Sequence, residues 1–322
     1  YFGDWNDSLN IGRGGKGESV WLGMALLVAL RDTKQIAERL NDTAVAEQMD
    51  SKISQMESTI ESCAWDGEWY LRGFDDEAHP VGSKSSPAGH IFSEPQSWAV
   101  FAQLNPTRLK QVAASVTKHL RTDTGLVVCN PPFRTYDPAY GRISAMPAGW
   151  GENGSCYCHV TAFQAVADCL VRDGDAALQS LMSLVPFNPA ISIDKSWLEP
   201  YAFSNMFRGP EHPRPSATFK GWTSGTVPWV LQCMTHYLLG VRPDYDSLII
   251  DPVLPSTWDK VSLSRTYQGV QFEIAIHNPR KLASKFAQSK LVVNGSPYEG
   301  NRLFPQDYPN GQCTVKVDIL PI

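Results

Sequence analysis

The sequence is poor in features that would place a protein at a membrane or on nucleic acid. No apolar run in its 322 residues approaches the roughly 20 residues that a membrane-spanning helix needs, and the longest, residues 20–30, has the length of a buried helix. Neither sign of charge dominates, since 28 Lys and Arg face 33 Asp and Glu, a formal net charge of −5. Without a basic stripe to neutralise phosphates or anionic lipids, neither nucleic acid nor a membrane surface is expected as a partner.

Cysteine is also scarce, with seven residues scattered along the chain. An odd, scattered set in a chain of this length predicts reduced core thiols in a cytoplasmic protein. The first residues lack the basic, apolar and small-residue segments of a signal peptide, which favours the same location. Cys156, Cys158 and His159 could suggest zinc, but no second ligand pair with suitable spacing follows, so no metal is expected. The Gly-rich residues 12–19 do not fit the spacing of a phosphate loop, and no strand precedes them.

The apolar spacing changes from helical to β-type after Gly240. Before it, helical patterns alternate with long loops rich in Gly, Pro and aromatics, at 130–153 and 188–222, and loops of this length are usually functional. After it, short β-type runs are punctuated by Gly, Pro and Asn. We therefore predict a mainly α fold, with residues 1–240 forming part of a helical toroid and residues 241–322 a small C-terminal antiparallel β-domain. Helices are predicted at 20–30, 36–63 (broken near 41–42), 95–103, 109–120, 156–171, 176–184 and 226–239, and strands at 248–250, 261–264, 270–276, 291–293 and 315–320.

Trp5 and Asp7 place an aromatic face two residues from a carboxylate. Sugar sites use this combination, because the C–H face of the ring packs on indole while polar groups fix the hydroxyls. A carboxylic acid held against Trp in a dry pocket has a raised pKa, which suits a general acid for a glycosidic oxygen. An Asp/Asn turn that caps a helix is the simpler structural interpretation.

Two further segments could carry chemistry at helix starts. Glu152 and His159 lie just before and within a predicted helix, where both could face a cleft, although a histidine in an apolar helix is more often a core residue. Residues 222–229 place small hydroxyl residues and Gly225 before a helical run with Pro228 in its first turn. Such a helix start binds phosphate readily, and it is equally typical of plain capping.

Several motifs, taken together and in order, resemble glycoside hydrolase family 94, the cellobiose and chitobiose phosphorylases. They are spread over nearly the whole chain. The motifs are GDWND at 3–7, GESVW at 17–21, EPQSW at 94–98, ENG at 152–154 followed by His159, EPY at 199–201, WTSGT at 222–226, GVRP at 240–243 and LIIDP at 248–252.

The resemblance implies an (α/α)6 barrel followed by the C-terminal β-domain, and inverting phosphorolysis of a β-linked glucosyl disaccharide. Inorganic phosphate is then a co-substrate, and no other cofactor is implied. Asp7 would be the general acid, and Asp4 and Trp5 would bind the substrate, with Trp5 lining the glycosyl subsite. The phosphate would be held by His159, Ser224 and Gly225, with Ser224 standing where the family usually has Thr.

Substrate choice would depend on the subsite of the leaving sugar. The candidates there are Arg142, Met146, Trp150, Glu152 and Tyr157. Cellobiose, cellobionic acid, chitobiose, laminaribiose and short β-1,2-glucans all stay open as substrates, and resemblance alone favours cellobiose or cellobionic acid. Arg142 could pair with the carboxylate of an acid sugar, or it could be a structural loop residue.

Family members carry a β-sandwich and the first half of the barrel ahead of the Asp-Trp-Asn-Asp motif. The chain is therefore expected to be the C-terminal part of a longer enzyme. The upstream half could accompany it as a companion chain, and the full protein is expected to be a homodimer. Two other functions stay open. One is an inverting hydrolase, in which Glu152 or Glu199 would activate water, and the other is an inactive carbohydrate-binding fragment.

Overall fold

A computed structural model describes residues 4–188 and 191–322, so Gly3 of the first motif lies outside the described residues. The chain divides into two compact units. The first comprises Tyr1–Phe163 and Ser183–Ser224, and the second comprises Gln164–Met182 and Gly225–Ile322. Within the described ranges, no helix combines the length and apolarity that crossing a membrane would take.

Every predicted helix is present, with ends shifted by a few residues. The stretch that begins at Ile36 continues the helix that begins at Val20, and the chain breaks only at residues 40–42. There the carboxylate of Asp42 accepts a hydrogen bond from the N–H of Val45 at 3.1 Å and caps the second helix. The helices are α1 Val20–Arg39, α2 Thr43–Cys63, α3 Ser93–Phe101, α4 Pro106–His119, α5 Cys158–Leu170, α6 Gly174–Leu184, α7 Ile193–Ser196 and α8 Thr226–Gln232, which a π-helical turn, Cys233–Leu238, prolongs.

Helix α1 corrects one expectation. Its apolar residues occur nearly all round, which predicts burial on most sides. In the structure Met24 and Leu27 are fully buried, whereas Leu22 and Leu26 are 37% and 46% exposed. The 3.6-residue period turns these two pairs to different faces, so only one face packs inside the first unit.

Short strands connect the helices of the first unit and position its loops. The strands are β1 Glu18–Ser19, β2 Gly73–Phe74, β3 Pro80–Val81, β4 Ile91–Phe92, β5 Arg121–Thr122, β6 Gly125–Leu126, β7 Cys129–Asn130, β8 Cys156–Tyr157, β9 Ser204–Phe207 and β10 Thr218–Gly221. They form small sheets in the orders β1-β2-β3, β10-β9-β8, β4-β7 and β5-β6. Strand β8 leads directly into α5, so the β10-β9-β8 sheet fixes where that helix begins.

The Gly-rich loop that resembles a phosphate loop binds a carboxylate of its own chain. Asp76 accepts hydrogen bonds from the backbone N–H groups of Gly14, Lys16 and Gly17, at 2.5, 2.8 and 3.1 Å. Consecutive backbone donors of this kind form an anion-binding concavity. Here Asp76 occupies it, which gives the loop a structural role.

The β-rich part of the second unit begins at Val241. Its strands are β11 Val241–Asp244, β12 Ser247–Ile250, β13 Lys260–Tyr267, β14 Val270–His277, β15 Ala287–Val293, β16 Ser296–Tyr298, β17 Arg302–Leu303 and β18 Gln312–Pro321. They form one sheet in the order β11-β12-β17 and another in the order β13-β14-β18-β15-β16. Alternate residues of β14 and β18, such as Phe272, Ile274, Val315 and Val317, are buried in the core of this unit. The domain division at residue 240 stays a prediction.

The expected antiparallel β-domain is corrected at one pair of strands. Strands β14 and β18 run parallel, with Phe272 opposite Cys313 and Ile274 opposite Val315. A parallel pair needs a long connection, and residues 278–311, which contain β15 to β17, provide it. The sheet is therefore mixed, whereas the other pairs in the second unit are antiparallel.

Gly240 should tolerate alanine far less well than Gly269. Both have positive φ, +67° and +81°, which costs a residue with a Cβ about 1 kcal/mol or more. A Cβ on Gly240 would also lie 2.1 Å from the backbone carbon and oxygen of Asp251, whereas one on Gly269 meets nothing within 4 Å. We expect Gly240→Ala to cost about 1–3 kcal/mol more than Gly269→Ala, measured by thermal unfolding. Equal losses would contradict this packing.

Candidate active site

The loop that carries Trp5 and Asp7 is held by the buried side chain of Arg72. Arg72 is fully buried, and its two Nη atoms donate to the two carboxylate oxygens of Asp4 at 2.5 and 2.9 Å. Its Nε and Nη2 also donate to Oδ1 of Asn6, at 3.0 and 2.6 Å. Because Asp4 and Asn6 flank Trp5, one guanidinium fixes the backbone on both sides of that indole.

The charge of Arg72 decides the ionisation of Asp4. Burial alone would raise the pKa of Asp4, but the positive charge and hydrogen bonds of Arg72 lower it below its usual value. Asp4 is therefore a carboxylate, engaged through both oxygens by a bidentate pair. That Asp4 also binds substrate stays a prediction.

Trp5 contacts the start of α5, although 154 residues separate it from His159. Its indole N–H donates to Nδ1 of His159 at 3.2 Å, and its ring meets that of Tyr157 edge to face with centroids 5.1 Å apart. Phe163, one turn further along α5, packs on His159 at 4.4 Å. Burial lowers the pKa of His159 to about 4, so the imidazole is neutral near pH 7. With Nδ1 accepting from Trp5, Nε2 carries the proton and is a donor.

Glu152 binds the backbone of Asp7 and Ser8. One oxygen of its carboxylate accepts the N–H of Asp7 at 3.1 Å, and the other accepts the N–H and the hydroxyl of Ser8 at 3.0 and 2.5 Å. Glu152 is 8% exposed, and its burial raises the pKa of the carboxyl group while the Ser8 hydrogen bonds oppose that rise. The candidate residues Asp7, Glu152, Tyr157 and His159 thus lie close together, and their roles in a site stay a prediction.

A second buried carboxyl group lies behind this loop. Glu94, in the first turn of α3, is fully buried, and that burial raises its pKa to about 7, against the opposing charge of Arg72. Glu94 and Arg72 are not among the candidate site residues that the sequence predicts. The signals were there, since Glu94 opens the EPQSW motif and Arg72 is a lone charge between the apolar residues 70–71 and 73–74.

Asp7 itself does not lie in a dry pocket. Its side chain is exposed in the structure, and the buried carboxyl groups near it are Glu94 and Glu152. Arg142 is exposed too, in a 3₁₀ helix, Gly141–Ala145, that is joined to the first loop. The N–H of Ile143 donates to the carbonyl of Ser8 at 2.9 Å, which brings the Arg142 segment beside Asp7.

The predicted phosphate turn directly precedes helix α8. Ser224 ends the second segment of the first unit, and Gly225 begins the second segment of the second unit. Helix α8 starts at Thr226, with Gly225 as its N-cap and Pro228 in its first turn, as the sequence predicts. That Ser224 and Gly225 hold phosphate stays a prediction. Glu199, the other candidate carboxylate, is exposed.

The chain matches a family of carbohydrate-active enzymes. The model described as "Glycosyl hydrolase 94 superfamily, catalytic domain" matches residues 2–240, well over half of the chain. The chain therefore belongs to the glycosyl hydrolase 94 superfamily, and the resemblance in the motifs is confirmed.

Two relatives come from Paenibacillus borealis. A solabiose phosphorylase is 36% identical over 98% of this chain and 41% of its own length. A 3-O-beta-D-glucopyranosyl-beta-D-glucuronide phosphorylase is 34% identical over 93% of this chain and 40% of its own length. The chain thus spans about two fifths of the length of these curated relatives. Among solved structures, one described as a sialidase has a TM-score of 0.54 and 11% identity, covering 76% of this chain and 22% of that one, which is a likeness of fold alone.

The raised pKa of Glu94 predicts how stability depends on pH. Folding raises this pKa from 4.5 to about 7, so the unfolded chain releases the proton first as pH rises. Stability should therefore fall between pH 4.5 and 7, by about 3 kcal/mol at most. Glu94→Gln has no proton to lose and keeps a polar side chain of the same shape. Its thermal midpoint should rise relative to wild type between pH 5 and 8.

The matched control for this experiment is Glu47→Gln, which changes an exposed glutamate on α2. Its pH profile should run parallel to that of wild type. A parallel profile for Glu94→Gln as well would contradict a protonated Glu94 in the folded chain.

Proposed function

We propose that this chain is the catalytic C-terminal part of an inverting phosphorylase. It would act on a β-linked glucosyl disaccharide of the cellobiose or cellobionic acid type. The observation that carries the proposal is the constellation of Trp5, Asp7, Glu152 and His159, in a chain whose relatives include disaccharide phosphorylases. Orthophosphate attacks the anomeric carbon from the side opposite the leaving sugar. The glycosidic C–O bond breaks, and α-glucose 1-phosphate and a free sugar result.

In this mechanism Asp7 is the general acid. It gives its proton to the glycosidic oxygen as that bond breaks, so that the sugar leaves as an alcohol. Two features would orient Asp7. Its own N–H donates to Glu152. Trp5, two residues earlier, is held by its bond to His159 and by the bond from Arg72 to neighbouring Asn6. An inverting hydrolase needs a second carboxylate to activate water. A phosphorylase does not, because its nucleophile is already an anion.

Phosphate would be bound by His159, Ser224 and Gly225. The neutral imidazole offers Nε2–H as a donor, and the turn before α8 offers a hydroxyl and backbone N–H groups. A phosphate next to Asp7 would favour the protonated form of that acid, as its role requires. Glu152, Tyr157 and Arg142 would line the subsite of the leaving sugar, with Met146 and Trp150 behind them.

The helices before residue 240 would be part of an (α/α)6 barrel, completed by residues upstream of this chain in a longer protein. Two observations support this. The relatives are about two and a half times as long as the stretch they share with it, and one face of α1 leaves Leu22 and Leu26 partly exposed among the described residues. A homodimer of the full enzyme and a cytoplasmic location remain parts of the proposal.

Hydrolysis on the same scaffold is the alternative that the sequence leaves open. Glu152 is poorly suited to activate water, because both of its oxygens already accept hydrogen bonds from Asp7 and Ser8. Assays of glucose 1-phosphate and free sugar with and without phosphate separate the two reactions. Product that forms only with phosphate supports the phosphorylase, and phosphate-independent release of both sugars supports the hydrolase.

Replacing the proposed general acid should remove activity without unfolding the protein. In the full-length enzyme we expect Asp7→Asn to lower kcat/KM for a β-glucosyl disaccharide by about 10²–10⁴-fold. The loss should be much smaller for a 2,4-dinitrophenyl β-glucoside, whose leaving group needs no proton. Asp32→Asn, an exposed aspartate on α1, is the control. Equal losses on both substrates would argue against Asp7 as the acid.

Ser224→Ala should weaken the binding of phosphate more than the binding of sugar. Losing one hydrogen bond to a charged ligand should raise the KM for phosphate roughly tenfold or more, with a smaller change in the KM for the disaccharide. Thr223→Ala, which removes the neighbouring exposed hydroxyl, serves as the matched control. Initial rates over a matrix of phosphate and sugar concentrations measure both constants. An unchanged KM for phosphate in Ser224→Ala would remove Ser224 from the phosphate site.

A further inference from the structure

A cluster of cations and aromatic rings lies in the first unit beside the predicted sugar site. The guanidinium carbon of Arg208 is 5.1 Å from the centroid of the Trp150 ring and 6.0 Å from that of Trp197. Arg214 lies over the same Trp197 ring at 5.4 Å. Phe219 packs edge to face on Trp150 with centroids 4.5 Å apart. Stacking on two indoles orients the guanidinium of Arg208 before any ligand arrives.

The positive charge of this cluster is not neutralised within the described part of the chain. Neither Arg208 nor Arg214 forms an ion pair there, although neighbouring Arg134 pairs with Glu211. Nε of Arg208 is buried and finds no acceptor among residues 4–188 and 191–322. Burial together with the charges of Arg208 and Arg214 lowers the pKa of nearby His212. A buried, unpaired donor costs stability, so the site is built for an acceptor that the described residues do not supply.

The cluster is joined by the backbone to the wall that carries Glu152 and Tyr157. Trp150 lies two residues before Glu152. Strand β9, which ends just before Arg208, pairs with β8, where Tyr157 stands opposite Met206. The N–H of Gly209 donates to the carbonyl of Gly149 at 2.8 Å. Arg208 therefore belongs to the same wall as the residues predicted to bind the leaving sugar.

We propose that Arg208, held between Trp150 and Trp197, binds the carboxylate of an acidic leaving sugar, a uronic or an aldonic acid. This rests on the proposed phosphorylase function and specifies its substrate class. The planar guanidinium forms two parallel hydrogen bonds to a carboxylate, and the indoles offer their faces to the C–H groups of the sugar. Arg142, which the sequence offers either for this role or as a structural loop residue, is exposed, and the described residues show no ring contact that would orient it.

The test compares three β-glucosyl substrates, with glucuronate, gluconate or glucose as the leaving sugar, in phosphorolysis by the full-length enzyme. We expect wild type to prefer one of the two acids as the leaving sugar. A preference for glucuronate indicates recognition of a uronic acid, and a preference for gluconate indicates recognition of an aldonic acid. Arg208→Gln should lower kcat/KM for that acid at least about 30-fold and for the neutral disaccharide less than about threefold. Arg208→Lys keeps the charge but lacks the planar pair of N–H donors, so its loss of kcat/KM for the acid should be intermediate. Arg280→Gln, which removes an exposed arginine of the second unit, controls for net charge.

Three outcomes would overturn the proposal. They are a wild-type preference for the neutral disaccharide, equal losses on all three substrates in Arg208→Gln, and a loss that appears instead in the KM for phosphate. Should wild type phosphorolyse none of the three, the phosphorylase function fails by itself. Titration of glucuronate and gluconate against wild type and Arg208→Gln, followed by NMR, then decides. Acid binding that depends on Arg208 supports the carboxylate site, and no binding refutes it.

Discussion

The buried ion pair between Arg72 and Asp4 is the interaction on which the candidate site depends. A guanidinium removed from water is tolerable only when its donors are satisfied, and here Asp4, Asn6 and Ser19 accept from it. Asp4 and Asn6 flank Trp5, so the pair positions that indole against His159. The next two residues rest on Glu152. Breaking the pair would leave an uncompensated buried charge and would free both Trp5 and the proposed acid, Asp7, at once.

Raised carboxyl pKa values near this loop would lower the negative charge that a bound phosphate faces there. Glu94 and Glu152 are buried carboxyl groups whose pKa values are raised, and near pH 7 a substantial fraction of Glu94 is protonated. His159 is neutral and therefore binds an anion as a hydrogen-bond donor only. This matters for the proposed mechanism, because a carboxyl group that stays protonated does not repel the incoming phosphate. A neutral donor also holds the nucleophile without neutralising its charge.

Much of the secondary structure could be predicted from the sequence, because it depends on patterns among neighbouring residues. Apolar periodicity predicts the helices, the break before Thr43 and the change to strands after Gly240, because each depends on neighbours a few residues apart. The exposed face of α1 and the parallel pairing of β14 with β18 depend on which elements pack together, and no local pattern encodes that. The contact of Trp5 with His159 spans 154 residues, and the family motifs imply only that both residues belong to the site. Arg72 shows the limit, since one charge among apolar residues indicates burial but not its partner.

Arg208 and Arg142 illustrate why residue type and loop position are not enough to assign a binding role. Both are arginines near the site, and the sequence offers only Arg142 as a candidate, with a structural role left equally open. Free in solvent, an arginine loses much of its side-chain entropy when it binds a carboxylate, and water competes for its donors. Arg208 has already lost that entropy by stacking on Trp150 and Trp197, and its Nε is already removed from water. The gain on meeting a carboxylate is correspondingly larger, so selectivity for an acid sugar should come from the arginine that the fold has already ordered.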